Sequence, residues 1–481
     1  MNVSTALFTV LLSVACCAEG TDKTATRILA ELAIQTNADD ITPAAYEAAR
    51  RAVIDAIGCA LAGRDTPGVR EVLAQYREWN GKTEASVWFH DCKLPRPEAA
   101  FVNSVQLHAM DLDDYHSPSD THIAAVVVPA VLAVGELTHA SGKETLAATI
   151  LGIEVAGRIG RVFKSHRTNE GFLPSSVIGG FGATAAACRL QRLSVEQTVH
   201  ALGIFYAHAS GNRQALYDRT LTKRLQPAIA ARAAVLAACL AARGITGAER
   251  VLEGEANLLK IYAGSKQQPP KAGNLPKNAT GFEVELIRFK KYACCGRSHD
   301  AIEVAIALAN EHDLKPEDIA ELEIFGVGVN TGMVGVPWNP NHPQPHVLAQ
   351  FCAPYEVATA IRNRRMGPAE ISDERIRADR AVSELALRTR LRDPKEFGGN
   401  YPGGQTVRIR TQQGQTVVAS RHRSGGWLSA ESDLIAKFKE NAAFSGICSP
   451  PRAEALLKAI QQLDQCHDIA GFVRDHLNKE P

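Results

Sequence analysis

Net charge is almost absent from this chain of 481 residues: 53 Lys and Arg stand against 52 Asp and Glu, leaving +1 at neutral pH. A chain with no excess of either sign has no electrostatic footprint for nucleic acid or for a charged membrane surface. Any preference for anions must then come from a local cationic pocket. The eleven cysteines include no C-x-x-C, and the only close pairs, Cys16-Cys17 and Cys294-Cys295, are adjacent residues. Zinc and iron–sulfur sites use tighter spacings than these. The thiols read as buried and reduced, as in a cytoplasmic protein. There is no P-loop, no G-x-G-x-x-G behind a predicted strand, no G-x-S-x-G elbow and no H-E-x-x-H. Nucleotide cofactors and the common hydrolase plans are therefore unsupported. The apolar run of residues 6–18 is too short to span a bilayer, and no Lys or Arg precedes it. It reads as a loose tail or a signal-like segment, leaving secretion or organelle targeting open, and no other stretch reads as a span.

What is present is length and alanine. The chain is too long for one compact core, so two domains are expected. From Thr24 to about Gly264 the spacing is helical, with apolar residues at helical intervals over Ala25–Gln35, Pro43–Ala62 and Arg70–Trp79. Ile123–Leu137, Ile178–Leu190 and Ile229–Ala242 are apolar all round, which places them inside a bundle. Their Ala and Gly content allows close backbone approach. Lys266–Pro276 reads as a linker. Beyond it, Phe282–Tyr292 and Ile319–Val329 read as strands, Ala301–Asn310 and Gln350–Ile361 as helices, and Thr406–Ile409 with Thr416–Ala419 as a hairpin. Glu431–Lys479 is helical again. The expected fold is mainly α with a smaller α+β domain. Residues 1–23 are a tail, 24–282 and 426–481 together form a helical bundle, and 283–425 form an α+β lid that interrupts it.

Three stretches carry chemistry. His108-Ala-Met-Asp-Leu-Asp-Asp-Tyr-His-Ser-Pro-Ser-Asp-Thr-His122 packs three His, four Asp and one Tyr into fifteen residues and runs into an apolar helix. Charged groups against an apolar wall acquire shifted pKa values, as acid–base chemistry requires. The bland alternative is a solvated loop in which Asp120 caps the next helix. Metal ligation is a third reading, but no H-x-H or H-x-x-x-H spacing in the stretch supports it. In the second stretch, Lys223 and Arg224 start a nearly uncharged helix. Cations there oppose the macrodipole, and a bound anion explains them better. A pair of surface cations is the alternative. In the third, Phe289-Lys-Lys-Tyr-Ala-Cys-Cys-Gly-Arg-Ser-His299, a lysine meeting an anion is a better reading than thiol chemistry, because nothing activates Cys294 or Cys295.

In this order the stretches resemble the MmgE/PrpD family of 2-methylcitrate dehydratases and cis-aconitate decarboxylases. Further motifs carry the likeness: Asp55-Ala-Ile-Gly-Cys-Ala-Leu-Ala-Gly63, Thr121-His-Ile-Ala-Ala-Val-Val-Val-Pro129 and Ala349-Gln-Phe-Cys-Ala-Pro-Tyr355. The spellings Asp-Asp-Tyr-His and Tyr-Ala-Cys-Cys-Gly are most similar to fungal cis-aconitate decarboxylases. The resemblance covers roughly residues 24–475. It implies a homodimer with no cofactor and no metal, and an active site between the domains. Carried over by position, it implies Asp111, His122, Lys223 and Lys290 as catalytic residues, with Tyr115 and Arg224 touching substrate. Two positions depart from the family pattern: Leu173 stands where a site histidine is expected, and Ile123 replaces the proline of Thr-His-Pro.

The reading that follows is a cofactor-independent lyase for a small di- or tricarboxylate. Lys223 and Lys290 approach from opposite sides of a cleft and hold carboxylates, and His122, oriented by Asp111, moves the proton. None of the three cationic or imidazole groups is expected in the core. Decarboxylation and dehydration both stay open. So do an isomerase or epimerase on the same scaffold and a carboxylate binder that has lost its chemistry.

Overall fold

A computed structural model of the chain describes residues 23–166, 171–264, 275–326, 332–422 and 426–478. The residues 1–22, most of the expected linker and the end of the strand expected through Val329 lie outside these. The architecture is mainly α with a smaller α+β part.

Among the described residues, ten helices of the helical part precede the α+β part. They are α1 Ala25–Gln35, α2 Pro43–Gly63, α3 Val69–Trp79, α4 Arg96–His108, α5 Ala124–Thr138, α6 Gly142–His166, α7 Pro174–Leu190, α8 Val195–His208, the single turn α9 Gln214–Tyr217, and α10 Thr222–Ala241. Their starts follow local chemistry. Thr24 and Thr42 accept backbone N–H groups at the heads of α1 and α2, and Ser194 caps α8 within a capping box with Gln197. Helix α7 forms the centre, packing on α5, α6, α8 and α10, while α4 packs on α2, α5 and α10. The expectation that no stretch beyond the N-terminal run could span a bilayer is corrected by α10, which is long and apolar enough to cross a membrane by length and composition. It packs instead against α4, α5, α7 and α8 as a core helix. A short antiparallel pair, β1 Ala85–Ser86 and β2 Lys93–Leu94, lies beside α4 and α5.

The α+β part is built on four strands. After β3 Tyr115–His116 and β4 Ile287–Arg288 come β5 Ile319–Phe325, β6 Arg390–Arg392, β7 Gln405–Thr411 and β8 Thr416–Arg421. Their sheet runs β6-β5-β7-β8, with β6 parallel to β5 and the other neighbours antiparallel. Helices α11 His299–Glu311, α12 Pro345–Ala349, α13 Ala353–Asn363, α14 Asp373–Ala378 and α15 Arg380–Arg388 belong to this part. Of these, α11 covers β7 and β8, and α15 packs on β5. The chain then returns to the bundle: α16 Glu431–Phe444 and α17 Pro450–Gln461 pack on α2, and α18 Ile469–Phe472 packs on α5.

One strand expectation is corrected. Phe282–Tyr292 alternates like a strand, but Glu283–Leu286 forms a 3-10 turn, only Ile287–Arg288 forms a strand, and Lys290 makes an isolated bridge to Trp427. The reason is Glu283, which is fully buried where it receives Arg161 and faces His116 at 3.0 Å. This tertiary charge contact overrides the local alternation. The pairing of β3 with β4, Tyr115 opposite Arg288 and His116 opposite Ile287, ties the acidic loop to the chain entering the α+β part.

Candidate active site

The fifteen-residue stretch rich in His and Asp is not a solvated loop. Asp111, Asp113 and Asp114 are 2%, 0% and 1% exposed, and each has a different structural task. Asp114 accepts the backbone N–H groups of Ala124 and Ala125 at 3.1 and 3.2 Å. It is therefore the carboxylate at the head of α5. Burial, with Asp113 nearby, pushes it up to about 7. Asp120, the residue expected at that cap, instead accepts the Tyr115 hydroxyl at 2.5 Å.

Asp111 collects the two lysines. Lys223 Nζ donates to one carboxylate oxygen, and Lys290 Nζ lies 2.8 Å from the other and 2.8 Å from the Asp111 backbone carbonyl. Burial alone would raise this carboxyl, but the two ammonium groups outweigh it and hold Asp111 well below the usual range. The residue sits at φ +49°, a left-handed conformation that a non-glycine residue adopts only when its surroundings over-determine it. Here the surroundings are the two lysines. The expectation that neither is in the core is corrected, since Lys223 is 6% and Lys290 2% exposed. At the head of α10, Lys223 meets a protein carboxylate, Asp111, where a bound anion was expected.

Asp113 collects the imidazoles. Its Oδ2 accepts from His108 Nδ1 at 2.8 Å and stands 3.2 Å from His122 Nδ1, the latter a close contact outside in-line hydrogen-bond geometry. The carboxylate on His122 is thus Asp113, where Asp111 was expected, because Asp111 is already saturated by ammonium groups. His108 Nε2 lies 2.9 Å from Lys223 Nζ. An ammonium has only donors, so this nitrogen carries the lone pair and Nδ1 carries the proton. Burial, with Lys223 alongside, pushes His108 down to about 4. A continuous polar chain therefore runs from His122 through Asp113, His108, Lys223 and Asp111 to Lys290. The His122 backbone N–H donates to Ser175 Oγ at 2.9 Å.

These groups open on a cavity of about 530 Å³. Its lining includes the cations Lys164, Arg213, Lys223, Arg288, Lys290 and Arg297, against the carboxylates Asp111, Asp120 and Asp300. Tyr115 lines it too, its ring stacked on Trp427 at 5.4 Å. Asp111, His122, Lys223, Lys290 and Tyr115 thus come together around one space. Arg224 does not. One residue further along a helix points about 100° away, and its guanidinium is buried against the Pro67 carbonyl at 2.6 Å. Sequence reasoning missed Asp113 as the partner of the imidazoles, and it missed Arg288, Arg297 and Trp427. Isolated arginines in irregular chain carry no spacing signal.

Two groups of side chains among the described residues are compact enough to hold a metal: His108 with Asp113 and His122, and Glu196 with His200 and Glu249. In the first, both nitrogens of His108 are already engaged, one by a carboxylate and the other by an ammonium. The nitrogen that faces Asp113 and His122 is Nδ1, and a metal there would force the proton onto Nε2, against the Lys223 ammonium, so the donor set fits proton chemistry better than ligation. Cys295 lines the cavity, and burial pushes its thiol up to about 11. It is a poor nucleophile at neutral pH.

Comparison with known proteins agrees with this order of residues. The model of the MmgE/PrpD N-terminal domain matches residues 27–271, and that of the C-terminal domain matches residues 292–465. The chain belongs to the MmgE/PrpD family. It is 26% identical over 452 residues to a cis-aconitate decarboxylase of Aspergillus terreus, covering 90% of this chain and 92% of that one. It is 29% identical over 456 residues to a cis-aconitate decarboxylase-like protein of Aspergillus oryzae, covering 90% and 93%. With the mouse cis-aconitate decarboxylase the identity is 25% over 452 residues, covering 90% and 89%. Within this family member, Leu173 lies in the cavity wall at the head of α7. No histidine other than His108 and His122 lines the cavity among the described residues.

Proposed function

We propose that this MmgE/PrpD member is a lyase that decarboxylates a small polycarboxylate without a cofactor. The observation that carries the reading is the polar chain from His122 to Lys290 opening on a cavity whose cations outnumber its carboxylates. The names of the relatives favour decarboxylation over dehydration.

In this reading, substrate carboxylates are held by Lys223, Lys290 and the arginines of the wall. Lys223 and Lys290 share Asp111, so the pair keeps a net positive charge when the substrate arrives. The bond from carbon to the departing carboxylate breaks, carbon dioxide leaves, and the electron pair spreads into the remaining unsaturated acid. Fixed cations beside the developing charge stabilise it at little reorganisation cost. His122, with Nδ1 against Asp113, presents its other nitrogen for the proton that ends up on carbon. Asp113 remains ionised throughout, because burial is offset by the two imidazoles beside it, and it is held well below the usual carboxylate range.

The test is a panel of unsaturated and hydroxy-substituted di- and tricarboxylates followed by NMR in deuterated water. Carbon dioxide release with one deuteron on product carbon is the expected result. Loss of water without carbon dioxide would make the chain a dehydratase, and label exchange without loss of any fragment would make it an isomerase.

A further inference from the structure

The cavity has a second wall of different chemistry. Leu173, Leu216, Met333 and Phe351 line it. Leu216, Phe351 and Val347 form an apolar cluster separate from the main core, with Met333 and Cys295 packed on it. This cluster opens on the cavity directly beside the charged groups: Lys223 Nζ lies 5.2 Å from the centre of the Phe351 ring. Leu173 lines the cavity from the head of α7. Its backbone N–H donates to the Gly211 carbonyl at 3.4 Å. Ser175, two residues on, receives the His122 backbone N–H. Apolar side chains therefore share the cavity with His122 and Lys223. Carboxylates cannot use such surface, because burying charge against it costs desolvation with no partner in return. A cavity of about 530 Å³ is also in the range that encloses drug-sized ligands, more than a bare triacid fills.

We propose that Leu173, Leu216, Met333 and Phe351 form a subsite for an apolar arm, so that the substrate is a polycarboxylate bearing an alkyl chain of several carbons. The proposal rests on the carboxylate reading of this cavity and names the class of acid within it. The cations fix the head, and the arm lies along the apolar wall. Leu173 is a specificity residue here, because an imidazole in its place would turn one edge of the subsite polar.

The test is calorimetric titration of the full chain with propane-1,2,3-tricarboxylate carrying hydrogen, butyl or hexyl on one carbon. These acids lack the alkene, so binding is read without turnover. At about 0.8 kcal/mol per buried methylene, each added carbon should tighten Kd about threefold to fourfold. The butyl acid should then bind on the order of 100-fold more tightly than the bare triacid. Leu173→Asn and, independently, Met333→Gln should each cut that ratio about tenfold or more, with thermal melts confirming that the variants are folded. Equal or weaker binding of the alkyl acids, with the bare triacid still binding, would overturn the subsite and leave the lyase reading standing. Failure of every triacid to bind would overturn both.

Discussion

Asp111 and Asp113 are separated by one residue yet hold different partners, and substitution should separate their roles. Asp113→Asn keeps the shape but removes the charge between two imidazoles. His122 then loses the group that fixes its ring, so kcat should fall about 10²-fold or more with KM little changed. His122→Ala should lower kcat by about 10²–10⁴-fold. Steady-state kinetics on both variants checks this, and an Asp113→Asn enzyme with wild-type kcat and an unaltered pH profile would sink the assignment. Asp111→Asn should instead fail in the fold. It leaves two buried ammonium groups without their anion, a change that costs about 3–5 kcal/mol when a buried pair is broken. The clamp itself is read with Lys223→Ala and Lys290→Ala, each expected to raise KM by an order of magnitude or more and to lower Tm, since both lysines are buried. Unchanged KM in both variants would remove the lysines from substrate binding. The residue types of this site were legible in the sequence, and five of the six chosen residues line one cavity. Their pairing was not. Which of four closely spaced aspartates meets a lysine and which meets an imidazole depends on the left-handed turn at Asp111, which no spacing rule announces.

At the scale of elements, α6 and α7 approach so closely that only glycine fits at their contact. A Cβ built on Gly182 would lie 2.2 Å from the Gly152 carbonyl oxygen, and one on Gly152 would meet the Gly182 carbonyl at 2.9 Å. Backbone cannot move aside as a side chain can. Gly182→Val should therefore push two helices apart at the centre of the bundle, costing about 3 kcal/mol or more. Thermal unfolding reads this directly, and a variant melting within a degree of wild type would refute the close contact. Because α7 also carries Leu173 and Ser175 at its head, the same substitution should weaken ligand binding at a distance. The apolar, Ala- and Gly-rich texture of this region already pointed to such packing, and the buried helices fall close to their expected positions. The strand expected over Phe282–Tyr292 failed for the opposite reason. Local alternation was outweighed by Glu283, whose partners Arg161 and His116 come from distant parts of the chain. Such long-range charge contacts leave no local periodicity.

At the scale of the whole molecule, the buried titratable groups oppose one another, and their balance sets how stability depends on pH. Burial pushes His90, His108, His299 and His346 down to about 4. Between pH about 4 and 6.5 the unfolded chain binds protons at these rings that the native chain does not, so their contribution to stability rises with pH. Burial pushes Asp55, Asp114 and Glu356 up to about 6, 7 and 8. There the native chain keeps protons that the unfolded chain releases, so stability falls with rising pH from about 4 to each value. Four rising terms against three falling ones leave a shallow net rise, on the order of one group's 1.4 kcal/mol per pH unit. Above about 6.5 the imidazole terms are exhausted and Asp114 and Glu356 still decline. Below about 4 the depressed carboxyls of Asp111 and Asp113 take over, and stability is lost as acid protonates them first in the unfolded chain. Apparent Tm should therefore peak near pH 6 to 6.5, fall gently toward pH 8 and fall steeply below 4. Glu356 is the group to change. One of its oxygens accepts the Cys352 N–H at 3.1 Å, which a glutamine carbonyl can keep, and the Ser298 hydroxyl also faces the group. Glu356→Gln removes its titration and should flatten the decline between pH 6.5 and 8 while leaving the acid limb in place. A wild-type Tm that climbs steadily through pH 8, or a variant with the same alkaline slope as wild type, would show that these groups are not held as their burial requires.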